Sequence, residues 1–298
     1  MSKICIVTGA SRGLGRGIAK VLAEERSATV YATARSEKAL NDLAASVKSD
    51  SGVIRPFVLD QSDDSAVNNF INFIMEKEGR IDLLVNSAYG GLKAMTPHFG
   101  KSFWERPISV FDASIDIGLR SAFVTSANVA PHMVSQKSGL IVQVSSFGGH
   151  TYLFDVGYGV GKAGLDRLSA DMAAELHEHG VRSLTLYPGG AVTEIASFPG
   201  GETPIFTGRS IAALLYDTPE DDLTDLNGRV VLTMELALKH GFTDLSGDLP
   251  DGPFSGQESA KNVRDSLSKT PFQYSLGDSL PNPDESNSAE AAGLFPGA

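Results

Sequence analysis

The chain has 298 residues, with 42% apolar and 20% charged residues and a formal net charge of −11. That composition suits one large α/β domain, or two small ones, with a full core, and the acidic balance argues against nucleic acid as the main partner, because phosphate binding needs a basic surface. The single cysteine, Cys5, excludes an intrachain disulfide and reads as a small buried hydrophobe.

The first apolar run, Ile4–Val7, begins so close to the N-terminus that no room remains for a signal or transit peptide. No apolar run approaches membrane-spanning length. The default expectation is a cytoplasmic protein, with peripheral membrane association left open.

Further strand-like runs follow at Thr29–Thr33, Val53–Leu59, Ile81–Val85, Leu140–Val144, Ser183–Leu186 and Arg229–Thr233. Helix-period segments separate them. Ile18, Val21 and Leu22 follow the first strand, and Leu40, Leu43 and Val47 follow the second. After the third, Asp63 is placed as a cap before Val67, Phe70, Ile71 and Ile74. Strands that are apolar almost throughout are expected when helices cover both faces. The reading is an α/β fold with a doubly wound, Rossmann-type parallel sheet of about seven strands.

Two connections are unusually long, at 87–106 and 187–208, and long loops in compact domains are often functional. Residues 1–244 are read as one dinucleotide-binding domain. Residues 245–276 are read as an extension packed on it, and 277–298, acidic and without Lys or Arg, as a disordered tail.

The first strand runs into Thr8-Gly9-Ala10-Ser11-Arg12-Gly13-Leu14-Gly15 before a helix. Glycines at such a turn let a diphosphate approach the helix N-terminus, where free N–H groups and the dipole favour anions. The second strand ends in Thr33-Ala34-Arg35, without the acid that usually binds a ribose 2′-hydroxyl. Arg35 and Arg12 suit a 2′-phosphate instead, so NADP(H) is expected over NAD(H).

Tyr158 and Lys162 share one helix face at i and i+4. An ammonium near a phenol favours phenolate and lowers the tyrosine pKa from its usual ~10. Tyr158 could then trade a proton with a substrate oxygen. The fifth strand ends in Ser145-Ser146, whose hydroxyls could bond the same oxygen. The histidines show no metal-ligand spacing, so no metal is expected.

In this order and spacing, T-G-x-x-x-G-x-G, N-S-A-Y-G at Asn86–Gly90, Ser145-Ser146, Tyr158-x-x-x-Lys162 and Pro188-Gly189-x-x-x-Thr193 resemble the classical short-chain dehydrogenase/reductase family over residues 1–243. The resemblance implies an NADP(H)-dependent oxidoreductase that interconverts a carbonyl and an alcohol, and a homodimer or homotetramer.

It places Gly9, Ser11, Arg12, Gly13, Leu14, Gly15 and Arg35 on the cofactor, with Asp60 on the adenine. Asn86, Ala88 and Gly90 would lie near the riboses. Lys162 would bond the nicotinamide ribose, Pro188, Gly189 and Val192 would also meet the cofactor, Thr193 would contact the nicotinamide amide or the phosphates, and the 187–208 loop would close over the substrate. Tyr158 is the implied general acid/base. The family's usual Ser–Tyr spacing selects Ser145, whereas ungapped alignment of the strand selects Ser146, which is preferred.

Two features depart from the family pattern. Tyr89 is inserted after the fourth strand. Gly118 stands where the family carries a helix Asn that holds a relay water, and Asp116 and Asn128 are the nearby candidates to replace it. Phe103 and Trp104 either pack the 87–106 connection or wall an apolar pocket for a ketone, aldehyde or steroid-like substrate. A non-catalytic NADP(H) sensor or scaffold is the alternative function, and a sugar-nucleotide epimerase a third.

Overall fold

The computed structural model describes residues 2–50 and 52–269, so the expected tail at 277–298 lies outside the described residues. The elements run β1 (Ile4–Thr8), α1 (Gly13–Glu24), β2 (Thr29–Ala34), α2 (Glu37–Ala45), β3 (Val53–Val58), α3 (Asp64–Glu78) and β4 (Leu83–Asn86). Then follow α4 (Gly91–Met95), α5 (Ile108–Ser114), α6 (Ser121–Gln136), β5 (Gly139–Val144), α7 (Val156–Leu176), β6 (Val181–Tyr187), α8 (Pro204–Tyr216), α9 (Glu220–Leu226), β7 (Val230–Leu232), α10 (Thr233–His240) and α11 (Gln257–Ser268).

The seven strands form one parallel sheet in the order β3-β2-β1-β4-β5-β6-β7. Its strands are apolar at successive positions because each face meets helices. Cys5, Val7, Val30 and Val85 point to the side of α1, α2 and α8, where they meet Ile18, Leu22, Leu40 and Ile211. Ile4, Ile6, Tyr31 and Leu84 point to the side of α3, α6 and α7, where they meet Val67, Phe70, Ile74, Val129 and Leu176. Cys5 is fully buried, as its apolar neighbours imply. Asp63 caps α3 by accepting the Ala66 N–H at 2.9 Å.

The strand order reverses between β1 and β4, so the connections leaving their carboxyl ends turn to opposite sides of the sheet and leave a crevice. Thr8 holds its mouth. The buried Thr8 hydroxyl accepts the N–H groups of Ser87 and Ala88, both at 3.1 Å, which turns the chain out of β4.

Three elements differ from the sequence reading. The 87–106 connection is not structureless: it holds α4 and two short 3-10 turns, Thr96–His98 and Phe103–Glu105. Between α5 and α6 the helix widens into a π segment, Ile115–Arg120, which contains Gly118. Beyond residue 244, where the apolar rhythm fades, α11 still forms. Ala260, Val263 and Leu267 pack it on Tyr187, Val230 and Leu232 near the sheet edge. Its remaining faces are polar, which hid its period.

Candidate active site

A cavity of about 310 Å³ opens at the crevice. From the first turn it is bordered by Gly9, Ser11, Arg12, Gly13, Leu14 and Gly15, and from the ends of β2 and β3 by Arg35 and Asp60. Gly9 has φ +68°, and a Cβ there would stand 2.6 Å from the Ala88 Cα. Only glycine lets the β1 turn press against the end of β4.

Arg12 and Arg35 are exposed and form no salt bridge among the described residues. The Gly13 N–H at the start of α1 donates to Glu194 Oε2 at 2.9 Å. A carboxylate thus already occupies this donor, so the turn accepts an anionic oxygen and fits a dinucleotide diphosphate. Asp60 accepts the Ser62 N–H and hydroxyl at 3.0 and 2.8 Å. These bonds, with a lesser pull from Arg35, hold its carboxyl below the usual range.

The far part of the cavity is drier. Asp155 caps α7 by accepting the Tyr158 N–H at 2.7 Å, and its other oxygen takes Arg106 at 2.8 Å in a buried ion pair. This fixes where Tyr158 enters the crevice. Its phenol donates to Ser146 Oγ at 2.7 Å, and Ser146 Oγ also accepts the Gly148 N–H at 3.0 Å. Ser145 Oγ instead donates to the Lys162 carbonyl at 3.1 Å. Ser146 is therefore the serine on the phenol, and Ser145 braces the lysine backbone.

Lys162 Nζ donates to the Val144 carbonyl at 2.9 Å. Burial pulls its pKa down to about 8, opposed by the charge of Asp166. Burial also raises the Tyr158 phenol, against the lowering effect of the Ser146 bond. Asp166 is buried one turn beyond Lys162 and takes the Tyr187 phenol. Burial pushes it up to about 7, against the pull of its hydrogen bonds and of Lys162.

Ala88, Pro188, Gly189 and Thr193 complete the wall. Three expected site residues do not reach it. Asn86 is buried and turned toward α6, where its amide donates to Ser126 Oγ at 3.0 Å and more weakly to the Ala122 carbonyl. It anchors the end of β4 rather than presenting its side chain to a ligand. Gly90 faces α5 and the π segment, where a Cβ on it would stand 3.0 Å from Ala113 O and 3.2 Å from the Ile117 Cβ. Val192 is held by its N–H on the Glu202 carbonyl and points partly to solvent.

Neither expectation for Phe103 and Trp104 fits. They touch each other edge-on at 5.2 Å, are 63% and 73% exposed, and line no part of the cavity. The apolar wall comes from Tyr89, Leu92, Ile117, Phe154 and Phe198. Asn128 is engaged with Asn68 on α3, and Asp116 is exposed; neither borders the cavity.

Sequence reading missed Asp155, Asp166, Glu194 and Glu202. Asp166 was findable, since Tyr158, Lys162 and Asp166 step by four along one helix face. Glu202 had no local signal. It is buried, accepts the Gly189 N–H at 2.9 Å and the Thr207 and Thr233 hydroxyls at 2.6 Å each, and is pushed by burial to about 7. It ties the 187–203 loop to α8 and α10.

With this geometry in hand, the relatives are informative. A family model for short chain dehydrogenase matches residues 3–199. Dehydrogenase/reductase SDR family member 1 from Mus musculus is 39% identical over 266 residues, covering 82% of this chain and 84% of that protein. The Homo sapiens protein of the same name is 38% identical over the same span. Among solved structures, a metagenomic short-chain oxidoreductase in complex with NADP superposes with a TM-score of 0.66. It is 27% identical, and the match covers 78% of this chain and 98% of that one. The chain belongs to the short-chain dehydrogenase family.

Proposed function

We propose that the protein is an NADP(H)-dependent oxidoreductase that interconverts an apolar ketone or aldehyde with its alcohol. The observation that carries this reading is the 2.7 Å bond between Tyr158 and Ser146, with buried Lys162 held beside them. A substrate oxygen placed between the two hydroxyls would accept hydrogen bonds from both. In reduction Tyr158 donates its proton as charge builds on that oxygen, and the Lys162 ammonium stabilises the phenolate left behind. In oxidation the same phenolate removes the alcohol proton. The dinucleotide, when bound, supplies or accepts the hydride.

Arg12, Arg35 and the start of α1 would hold the phosphates of the cofactor, and the unpaired Arg35 favours a 2′-phosphate. Tyr89, Leu92, Ile117, Phe154 and Phe198 favour an apolar substrate body. Phe123 on α6 and Val160 on α7 are apolar and exposed, which supports a homo-oligomer with these as the contact helices. No described helix is long and apolar enough to cross a membrane.

The test is consumption of NADPH and of NADH against a panel of aldehydes, quinones, diketones and steroids, with Tyr158→Phe alongside. Turnover with NADPH is expected, and Tyr158→Phe should lower kcat by roughly 10²–10⁴-fold while dinucleotide binding persists. Undiminished turnover in Tyr158→Phe would exclude the phenol as acid/base. Absence of any dinucleotide binding would overturn the whole reading.

A further inference from the structure

Tyr89 leaves β4 beside a gap that two glycines open. A Cβ on Gly118 would stand 3.0 and 3.1 Å from Cδ2 and Cε2 of the Tyr89 ring. A Cβ on Gly91 would stand 2.2 Å from its hydroxyl and 2.5 Å from Ser114 Oγ. A side chain at Gly91 would claim the volume that the phenol fills, and one at Gly118 would press on the ring edge. The hydroxyl is tethered to buried Ser114 Oγ at 3.0 Å, one turn before Gly118 on the widened helix.

The ring is thereby seated against the lysine. Lys162 Nζ lies 4.9 Å from the centroid of Tyr89 and 5.8 Å from that of Tyr158, and the two rings meet edge-on at 5.7 Å and 86°. An ammonium within about 6 Å of a ring face is attracted by the ring quadrupole, most strongly where water is excluded. Both groups are largely withdrawn from solvent, with Lys162 and Tyr158 each 8% exposed.

We propose that Tyr89 is a positioning residue, whose ring, seated in the slot opened by Gly118 and Gly91, holds Lys162 and favours its charged form beside Tyr158. For its catalytic meaning this rests on the carbonyl–alcohol reading above, although the charge on Lys162 can be followed without turnover.

The groups facing Lys162 are known from every side. Tyr158 and Asp166 share α7 with it. The Val144 carbonyl and Ser145 come from β5, Tyr187 on β6 acts through Asp166, and Tyr89 comes from the β4 end. Asp155, near Tyr158, is already paired with Arg106. Burial is the force that discharges Lys162. Asp166 and the Tyr89 ring oppose it from two different elements, so each can be removed separately.

The test is a pH titration of the lysine Cε resonances of the full chain by ¹³C NMR, with Lys162 identified by its loss in Lys162→Met. Tyr89→Leu should lower the Lys162 midpoint by roughly 0.5–1 pH unit, the ring contribution expressed on the pH scale. Tyr89→Phe, which keeps the ring and loses only the Ser114 bond, should titrate with the wild type. An unmoved midpoint in folded Tyr89→Leu overturns the proposal, as does an equal fall in Tyr89→Phe.

The slot is tested separately, by thermal unfolding, which survives a poorly folding leucine variant. Gly118→Asn should destabilise the wild type far more than it destabilises Tyr89→Ala. Equal losses in both backgrounds would overturn the slot. Failure of the enzymatic reading would look different: no turnover by the wild type on any carbonyl, with the lysine midpoints still separated.

Discussion

The two ends of the crevice are built on opposite principles. The glycine-turn end is open and cationic: Arg12 and Arg35 stand exposed at its rim, and the Gly13 N–H holds a carboxylate from a loop. The Tyr158 end is buried, and its polar groups have internal partners, one oxygen of Asp166 excepted. Ser146 takes the phenol, Val144 takes the ammonium, and Asp155 takes both the Tyr158 N–H and Arg106. The contrast follows from what each end does. A charged ligand that must arrive and leave is best met by solvated charges and backbone N–H groups, which cost little to keep in water. A phenol and an ammonium with shifted proton affinities need burial, and burial requires that each be satisfied.

The sharpest way to break this comparison is to open the closed end. Arg106→Ala strands the buried Asp155 carboxylate and should cost about 3–5 kcal/mol of stability, read from urea unfolding. A loss below 1 kcal/mol would mean that the pair is solvated and the end is not closed. At the open end, Arg35→Ala should weaken NADPH binding roughly tenfold and leave NADH almost unchanged, as read by cofactor fluorescence. Equal weakening of both would place Arg35 on the shared phosphates rather than on a 2′-phosphate.

Smaller effects refine the picture. Glu194 shares the α1 N-terminus with the expected diphosphate, so Glu194→Gln should tighten dinucleotide binding roughly two- to fivefold in a direct titration. Weaker binding would show that Glu194 helps the ligand instead of competing with it.

A separate effect is on pH dependence. Asp166 is raised from 3.8 to about 7 in the folded chain. Between those values the folded state holds a proton that the unfolded state has lost, so this group's contribution is complete below 3.8 and falls as pH rises through 7. Asp166→Asn should remove that proton's share of the slope of unfolding free energy across pH 4–7. An unchanged slope would mean that Asp166 titrates at its ordinary value and that Lys162 holds it charged.

Much of this molecule was legible locally. Runs apolar at successive positions implied a parallel sheet because its inner strands are covered on both faces, β3 at the edge being partly exposed, and the Asp63 cap was visible in sequence because a cap acts within three residues. Tyr158 and Lys162 were legible because helical spacing alone puts them on one face. What resisted reading was everything that depends on where separate segments meet. Phe103 and Trp104 were open to two readings, packing their connection or walling a pocket, yet Phe154 and Phe198, distant in sequence, share the wall instead. Asn86 looked like a ligand contact, but the pleat at the end of β4 turns its amide into α6. The choice between Ser145 and Ser146 also turned on side-chain direction at a strand end.

By itself the sequence determined the order of strands and helices, the glycine turn and the Tyr–Lys face, because each follows from short-range periodicity and backbone sterics. The tertiary structure alone decided which serine meets the phenol, that Glu194 reaches the α1 N-terminus, that Glu202 ties down the loop, and that Tyr89 fills the space over Gly118. Those contacts join residues far apart in the chain, and only packing of the helices on the sheet brings them within reach.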